Sequence, residues 1–269
     1  EENIGDYFTQ NTPLLDTYSG AAAAYSLRLL DSSYVGALVE VYNGSSYADI
    51  GANVFGELDT VALAAHCGSN DGFVSKWYDQ SGNSNTAAQG ITGSMPKIYD
   101  GTTASVVTEN GKPAVEFDGV SEFLEGSSGY DFSAMFAASV FSNMVLNDHI
   151  LGAQSTNDDG WRFHGRSDAR LRVAGVNVDI SGVSNLGGQY LQIATIASGT
   201  ATNFLNSSNS ASASVTMGTT TSLTFKIGTS GVEADYASGK IQEIFFYTSN
   251  QSDNRTNIED NINTFYDIF

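Results

Sequence analysis

From Gly72 onward the sequence is a succession of short apolar runs separated by glycine, serine, asparagine and aspartate. FVSKWY, PKIY, PAVEFDG, QYLQIATIAS and KIQEIFFYT are examples, and only 3 prolines occur in the whole chain. Turn signals at a spacing of roughly 8 to 12 residues are typical of a β-sandwich or a barrel. This pattern predicts an all-β fold.

Two segments refine that prediction. Alternation in RLRVAGVNVDI predicts a half-buried strand pair that bends at Gly175. The small, polar stretch from Ser207 to Thr221 predicts an exposed edge strand or a long loop.

Helical signals lie on either side of the strand-rich region. Gly20–Leu30 (GAAAAYSLRLL) has high helix propensity, and Leu58–His66 is a second helical piece with Asp59 or the residue before it as the capping residue. In the tail, apolar residues recur at helical spacing after a Ser252/Asp253 cap signal. We therefore expect the main helices at Gly20–Leu30 and Asp253–Tyr266.

No break in composition and no internal repeat divides the chain. Hydrophobic residues make up 41% of it, enough to bury a sizeable core. We expect one β-sandwich domain over residues 1–269, in which residues 1–19 are an N-terminal arm and residues 253–269 are a closing helix.

The chain is strongly acidic, with 30 Asp and Glu against 11 Lys and Arg and a formal net charge of −19. Such a surface repels phosphate backbones and anionic lipids. No apolar run approaches the length of about 18 residues that a membrane span needs. Nucleic acid and membranes are therefore not expected as partners, and the acidic surface fits an extracellular setting.

Cysteine and histidine chemistry gives few signals. Cys67 is the single cysteine, so no intrachain disulfide can form. His66, His149 and His164 show neither an HExxH spacing nor another familiar metal-binding pattern. Although His66 and Cys67 are neighbours, we expect a packed helix end there rather than a nucleophile and base. We predict no cofactor, with calcium as the one ion to consider.

The segment WYDQSGN and its flank are the most distinctive polar part of the chain. The polar members are Asp79, Gln80, Ser81, Asn83 and Asn85. One interpretation is a self-bonded turn at the rim of the sandwich. A second is a sugar site, with Trp77 or Tyr78 as the aromatic platform and Asp79, Gln80, Asn83 and Asn85 as hydroxyl ligands. A third is a calcium loop formed by Asp79, Asn83 and Asn85.

A second candidate region is Gly160–Arg172 (GWRFHGRSDARLR). It concentrates scarce cationic and aromatic side chains, namely Trp161, Arg162, His164, Arg166, Arg170 and Arg172. Intramolecular ion pairing is the expected use of these arginines, and an anionic partner surface is the alternative. Trp161 and Arg166 join the candidate ligand-binding residues.

Four stretches together resemble a known family. They are AAYSLRLLDSSYVG, ADIG, ELDTVALAAHCGSNDGFVSKWYDQSGNSN and NGKPAVEFDG. In this order they resemble the N-terminal part of the fungal α-L-arabinofuranosidase B catalytic domain, and also concanavalin A-like modules of phage structural and tail-fibre proteins. The final GKIQEIFFYTSNQSDNRTNIEDNINTFY is similar to the closing strand and helix of laminin G-like modules. The resemblance implies a concanavalin A-like jelly-roll β-sandwich with a few short helices.

The same resemblance implies a function. The enzyme family's nucleophile and acid lie downstream of the YDQSGN region, in segments that this sequence does not visibly retain, and the family's cysteine pair is reduced to Cys67. We therefore expect a non-catalytic virion or extracellular surface protein, such as a fibre, head-decoration or adhesion module. Expected partners are a glycan or cell-surface polysaccharide, other virion proteins, or copies of itself. An α-L-arabinofuranosidase-like glycoside hydrolase and a purely structural assembly protein are the alternatives.

Overall fold

The computed structural model describes residues 12–144, 148–156, 159–165, 169–180, 186–218, 220–230 and 235–269. Its helices are α1 (Leu14–Thr17), α2 (Thr60–Cys67) and α3 (Arg255–Tyr266), with 3-10 turns at Thr92–Ser94 and Ser252–Asn254. Its strands are β1 (Ala23–Ser26), β2 (Val39–Tyr42), β3 (Tyr47–Ile50), β4 (Gly72–Trp77), β5 (Ala87–Ala88), β6 (Lys97–Asp100), β7 (Ser105–Val106), β8 (Thr108–Glu109), β9 (Lys112–Pro113), β10 (Val115–Asp118), β11 (Leu124–Glu125), β12 (Met135–Met144), β13 (Asp148–Ala153), β14 (Trp161–Gly165), β15 (Ala169–Val173), β16 (Val176–Ile180), β17 (Leu186–Ala197), β18 (Thr200–Leu205), β19 (Asn209–Ser214), β20 (Phe225–Ile227) and β21 (Ser238–Tyr247). The predicted all-β class is confirmed.

The strands form two antiparallel layers. The strand order of sheet I is β19–β18–β17–β12–β21. The other edge of β21 is shared by two strands, because β10 pairs with its N-terminal half and β1 with its C-terminal half. Sheet II runs β3–β2–β4–β5–β11–β20–β13–β14–β15–β16. Strand β6 bonds to both β10 and β4, and so joins the two layers at one side. The arrangement is a β-sandwich.

The main core fills the space between the layers. Phe246 of sheet I and Phe225 of sheet II meet there with ring centroids 4.8 Å apart. Phe132 packs edge-on against Trp161 at 5.5 Å in the same cluster. Aromatic burial of this kind supplies much of the free energy that holds two sheets together.

A second, smaller core covers the outer face of sheet I. Ile258, Ile262 and Tyr266 of α3 pack against sheet residues such as Phe245. The predicted tail helix is thus confirmed. Its start differs from the prediction, because Ser252 and its neighbours form a 3-10 turn, and Asn254 makes no side-chain cap.

The prediction of a helix at Gly20–Leu30 is wrong. The structure has strand β1 there, and all four of its residues are buried. Tyr25 points into the main core while Ala24 points into the smaller one. A segment that is buried on both faces gains more from sheet pairing than its intrinsic helix propensity offers, because propensity is the weaker effect.

Other local predictions are confirmed. Helix α2 begins after Asp59, whose carboxylate accepts hydrogen bonds from Val61 N at 3.1 Å and Ala62 N at 2.9 Å. Strands β15 and β16 form a hairpin that turns at Ala174 and Gly175, both with positive φ. The small polar stretch contributes β19, at the edge of sheet I. Among the described residues, no helix is long and apolar enough to cross a membrane.

Candidate functional site

Asp79 of the WYDQSGN segment is the anchor of its loop. Its Oδ1 accepts from Ala24 N at 2.8 Å and from Ser81 N at 2.9 Å. Its Oδ2 accepts from Ser81 Oγ at 2.7 Å and from Asn85 N at 2.9 Å. The carboxylate therefore fastens the loop to strand β1, a structural role.

Gln80 completes that attachment. Its Oε1 accepts from Leu30 N at 2.8 Å, and its Nε2 donates to Arg28 O at 2.9 Å and Ser26 O at 3.2 Å. Both ends of the buried carboxamide are thus satisfied by backbone groups at the end of β1 and in the segment that follows it. Neither Asp79 nor Gln80 presents a polar atom to a ligand.

The two tryptophans need correction as ligand contacts. Trp77 and Trp161 are 0% exposed, since both rings lie in the core between the sheets. A ring without an exposed face cannot stack on a sugar. Tyr78, the residue that follows β4, is partly exposed, and its hydroxyl donates to Asp49 Oδ1 at 2.7 Å. Arg166 lies outside the described residues.

The calcium alternative for this loop also needs correction. The Asp79 carboxylate already accepts four hydrogen bonds. Asn83 and Asn85 turn their amide nitrogens, not their oxygens, toward the same backbone. Since calcium takes 6 to 8 oxygen ligands or so, these three side chains do not form a calcium cage.

A groove opens beside this loop, at the end of the sandwich where β1 begins. Its volume is about 440 Å³. We call it the rim groove, and it is lined by Gly20, Ala21, Ala22, Ser81, Asn83, Asn85, Tyr130 and Thr248. None of these lining side chains carries a formal charge at neutral pH, so the groove is polar and neutral.

Two asparagines give the rim groove fixed acceptors. Asn83 Nδ2 donates to Ala21 O at 2.9 Å, and Asn85 Nδ2 donates to Ala22 O at 2.8 Å. Their Oδ1 atoms accept no hydrogen bond from the described part of the chain. Because the amide nitrogens are held by the backbone, the two oxygens keep one orientation and can accept hydrogen bonds from a ligand.

Tyr130 also lines the rim groove, and its hydroxyl oxygen is buried. Burial raises the pKa of its hydroxyl to about 12, and the negative charge of Asp79 adds to the increase. The phenol therefore stays protonated at neutral pH. Its ring is fixed edge-on against Phe246 at 4.9 Å. The groove thus combines the two amide oxygens with one edge of a fixed, neutral aromatic ring.

The outer face of sheet II is a second polar region. Residues directly opposite one another in the ladder share a face, and a charged row crosses most of the sheet. Its members are Asp49, Glu40, Lys76, Glu125, Lys226, Arg162 and Arg172. Neighbours in the row pair, as Lys76 does with Glu40 at 2.9 Å and Lys226 with Glu125 at 3.2 Å.

The arginines of the Gly160–Arg172 segment take part in this polar surface. Arg170 forms an ion pair with Asp179 on the next strand, as expected for intramolecular pairing. Arg162 donates to Gln154, also on sheet II's outer side. These arginines share a face because β13, β14, β15 and β16 form an antiparallel meander, of which the sequence pattern predicted only the last strand pair.

Sequence reasoning missed a histidine pair on this face. His149 of β13 lies directly opposite His164 of β14, with ring centroids 4.6 Å apart. Asp235 approaches the same two rings, and each of the three residues has a potential ligand atom within 4.8 Å of the others. The two histidines belong to consecutive strands, HILGAQ and GWRFHG. Pairing these two segments as an antiparallel hairpin would have placed His149 opposite His164.

One carboxyl group has a raised pKa, as the general acid of a glycosidase does. Burial, with the nearby Asp118 carboxylate, raises the pKa of Glu122 to about 8. However, Asp118 N donates to Glu122 Oε2 at 2.8 Å, and Asp118 Oδ1 accepts from Val120 N at 2.8 Å. The two carboxylates organise their own turn, and neither lines the rim groove.

No protein-family model matches the chain, and no curated protein matches it significantly. Solved structures do. An arabinofuranosidase complexed with arabinofuranosyl-α-1,2-xylobiose has a TM-score of 0.70 and 16% identity over 96% of this chain and 64% of its own. A GH54 α-L-arabinofuranosidase soaked with a cyclic sulfate inhibitor has a TM-score of 0.68 and 15% identity over the same shares. The chain thus spans less than two thirds of the length of these enzymes, and at such identities the likeness is one of fold.

Proposed function

We propose that this protein is a non-catalytic glycan-binding module displayed outside a cell or on a virion, and that the rim groove is its binding site. The observation that carries the proposal is the pair of backbone-anchored amide oxygens of Asn83 and Asn85. The fold shared with carbohydrate-active enzymes supports a carbohydrate ligand.

The chemistry of the rim groove suits a neutral sugar. Sugar hydroxyls donate as well as accept hydrogen bonds, so fixed acceptors can hold them. Asn83 and Asn85 supply such acceptors, and the Ser81 hydroxyl, whose proton goes to Asp79 Oδ2, can act as a further acceptor. Because the protein has a formal net charge of −19, acidic polysaccharides are disfavoured. Neutral glycans, arabinose-containing ones among them, are the expected class.

Binding is favoured over hydrolysis because the groove lacks the required acids. A retaining glycosidase needs two carboxyl groups about 5 to 5.5 Å apart beside the bond to be cleaved. None of the residues that line the rim groove is an aspartate or glutamate. The arabinofuranosidase-like alternative would need a different site.

The proposed display on a virion or a cell surface is based on the sequence resemblance and on the acidic composition. These two features are also compatible with a role in assembly. The lone cysteine is buried, so it is protected from oxidation outside a cell. Other virion proteins or copies of this chain are the further partners in this proposal.

The test is a screen of neutral polysaccharides and oligosaccharides on a glycan array, followed by calorimetry with the best binder. Asn83→Ala should weaken that binding at least tenfold or so, because it removes one positioned hydrogen-bond acceptor. Asn43→Ala is the matched control. Asn43 also organises a surface turn, accepting from Ser45 N at 3.0 Å, but it lies outside the groove.

The outcomes separate the three functions. Equal loss of binding in Asn83→Ala and Asn43→Ala would show that glycan binding depends on the stability of surface turns in general and not on the rim groove. Turnover of 4-nitrophenyl α-L-arabinofuranoside that a single carboxylate substitution abolishes would establish the hydrolase. An absence of all glycan binding, with specific self-association instead, would favour the assembly protein.

A further inference from the structure

His149, His164 and Asp235 converge on the outer side of sheet II. The histidines face each other across the β13–β14 pair and are only 2% and 3% exposed. Asp235, just before β21, has a side chain that is 46% exposed. The cluster is therefore a buried nitrogen pair with one carboxylate toward solvent.

We propose that these three residues form a binding site for a divalent transition metal ion such as Zn²⁺. Their potential ligand atoms all lie within 4.8 Å of one another. His149 Nε2 and Asp235 Oδ2 are 3.4 Å apart. Bonds of about 2.0 to 2.1 Å in a tetrahedral zinc site place neighbouring ligand atoms about 3.3 Å apart. The separation of His149 Nε2 and Asp235 Oδ2 already matches that distance.

The orientation of His149 supports the assignment. Ser230 Oγ lies 2.9 Å from His149 Nδ1, in a fully buried contact. A hydrogen bond at one ring nitrogen fixes which nitrogen a metal can use, and metal-binding histidines regularly have such a partner. Here the contact with Ser230 leaves Nε2 directed at Asp235. Ser230 is thus a positioning residue.

His164 contributes the third ligand. Its ring stands almost perpendicular to that of His149, at 88° with 4.6 Å between centroids. Perpendicular rings can direct one nitrogen each toward a common point without overlap of their faces. The backbone fixes both, because they occupy opposite positions of one antiparallel ladder.

The donor set selects the metal class. Two imidazoles and one carboxylate suit zinc, copper or nickel, whereas calcium and magnesium prefer oxygen ligands alone. Three protein ligands leave a fourth position for water or for an oxygen of a bound molecule. The solvent-facing side of Asp235 gives the ion its route of entry. This site does not depend on the rim groove or on glycan binding.

The experiment uses the full chain after treatment with a chelator. Co²⁺ is titrated as the spectroscopic probe, followed by Zn²⁺ competition and calorimetry. We expect one ion per chain and visible absorption bands that indicate tetrahedral nitrogen and oxygen ligands. Asp235→Asn and His164→Gln should abolish the bands, and Ser230→Ala should weaken affinity about 10- to 100-fold.

His66→Gln is the matched control. It removes the chain's remaining histidine, which lies on α2 with Nε2 3.0 Å from Val41 O. Binding should be unchanged in this variant. The side chain of Asp235 is about half exposed, so its variant is expected to fold, which a thermal melt would verify.

Three results would overturn the proposal. The first is no binding of Co²⁺ or Zn²⁺ by the parent chain at micromolar concentrations. The second is binding that survives Asp235→Asn and His164→Gln. The third is a loss of thermal stability in Asp235→Asn without any effect of metal on either protein, which would show that His149 and Asp235 form an ion pair only.

Discussion

Arg28 and Glu243 form a two-pronged ion pair inside the molecule, with Nε 2.8 Å from Oε2 and Nη2 3.0 Å from Oε1. Their side chains are only 4% and 1% exposed. Tyr266 Oη, from α3, donates to the same Oε2 at 3.2 Å. The pair therefore joins the segment after β1, strand β21 and the closing helix at one buried point.

Glu243→Ala should destabilise the protein by about 3 to 5 kcal/mol, because it leaves the buried Arg28 charge without its anionic partner. Urea denaturation of parent and variant measures the difference. The double variant Arg28→Met with Glu243→Leu is the control. It should lower the free energy of unfolding by less than Glu243→Ala does. A single variant that costs under about 1 kcal/mol would show that water reaches Arg28.

Trp77→Ala should cost about 3 to 5 kcal/mol, because it opens a cavity in the core between the sheets. Trp77→Phe should cost less, since the indole nitrogen has no hydrogen-bond partner to lose among the described residues. Tyr78→Phe, at a partly exposed position, should cost about 1 kcal/mol or less. Thermal melts rank the three variants, and a fully stable Trp77→Ala that had lost glycan binding would contradict the burial of this ring.

Asp79→Ala should cost about 1 to 3 kcal/mol, because the loop loses the acceptor for Ala24 N, Ser81 N and Asn85 N. Since the same loop positions Asn83 and Asn85, glycan binding should weaken together with stability. Denaturation curves and calorimetry on one preparation test both effects. A variant with unchanged glycan affinity would separate the loop's anchor from the rim groove.

Glu122→Gln should change the pH dependence of stability. The pKa of Glu122 is about 8 in the folded protein because of burial, against 4.5 ordinarily. Between these values the folded state holds a proton that the unfolded chain has released, so this group's contribution to the free energy of unfolding falls as pH rises. The variant should match the parent near the acid end of this window and become more stable than it toward the alkaline end.

Thermal melts across that range test the Glu122 prediction. Glutamine keeps an oxygen that can accept from Asp118 N, so the turn is retained. Asp118→Asn, which removes the neighbouring charge, should shrink the effect without abolishing it. Parallel stability curves for parent and Glu122→Gln would mean that solvent screens the carboxylate.

Only part of the candidate site could be predicted. The WYDQSGN segment was recognised as polar and distinctive, and Asn83 and Asn85 do line the rim groove. The position of Trp77 before a turn favoured a buried ring over a sugar platform, but both stayed open, because the alternation of a strand does not say which of its two faces the second sheet covers. His149 and His164 escaped notice because their pairing depends on the register of a hairpin and not on spacing along the chain.

The sequence by itself determined the all-β class, helix α2 with its Asp59 cap, the β15–β16 hairpin and the amphipathic closing helix, since each is encoded by local period and capping chemistry. Only the tertiary structure decided that Gly20–Leu30 contains a strand and that His149, His164 and Asp235 meet. Burial on both faces outweighs the helix propensity of alanine at Ala23 and Ala24, and such burial exists only once both sheets and α3 are assembled.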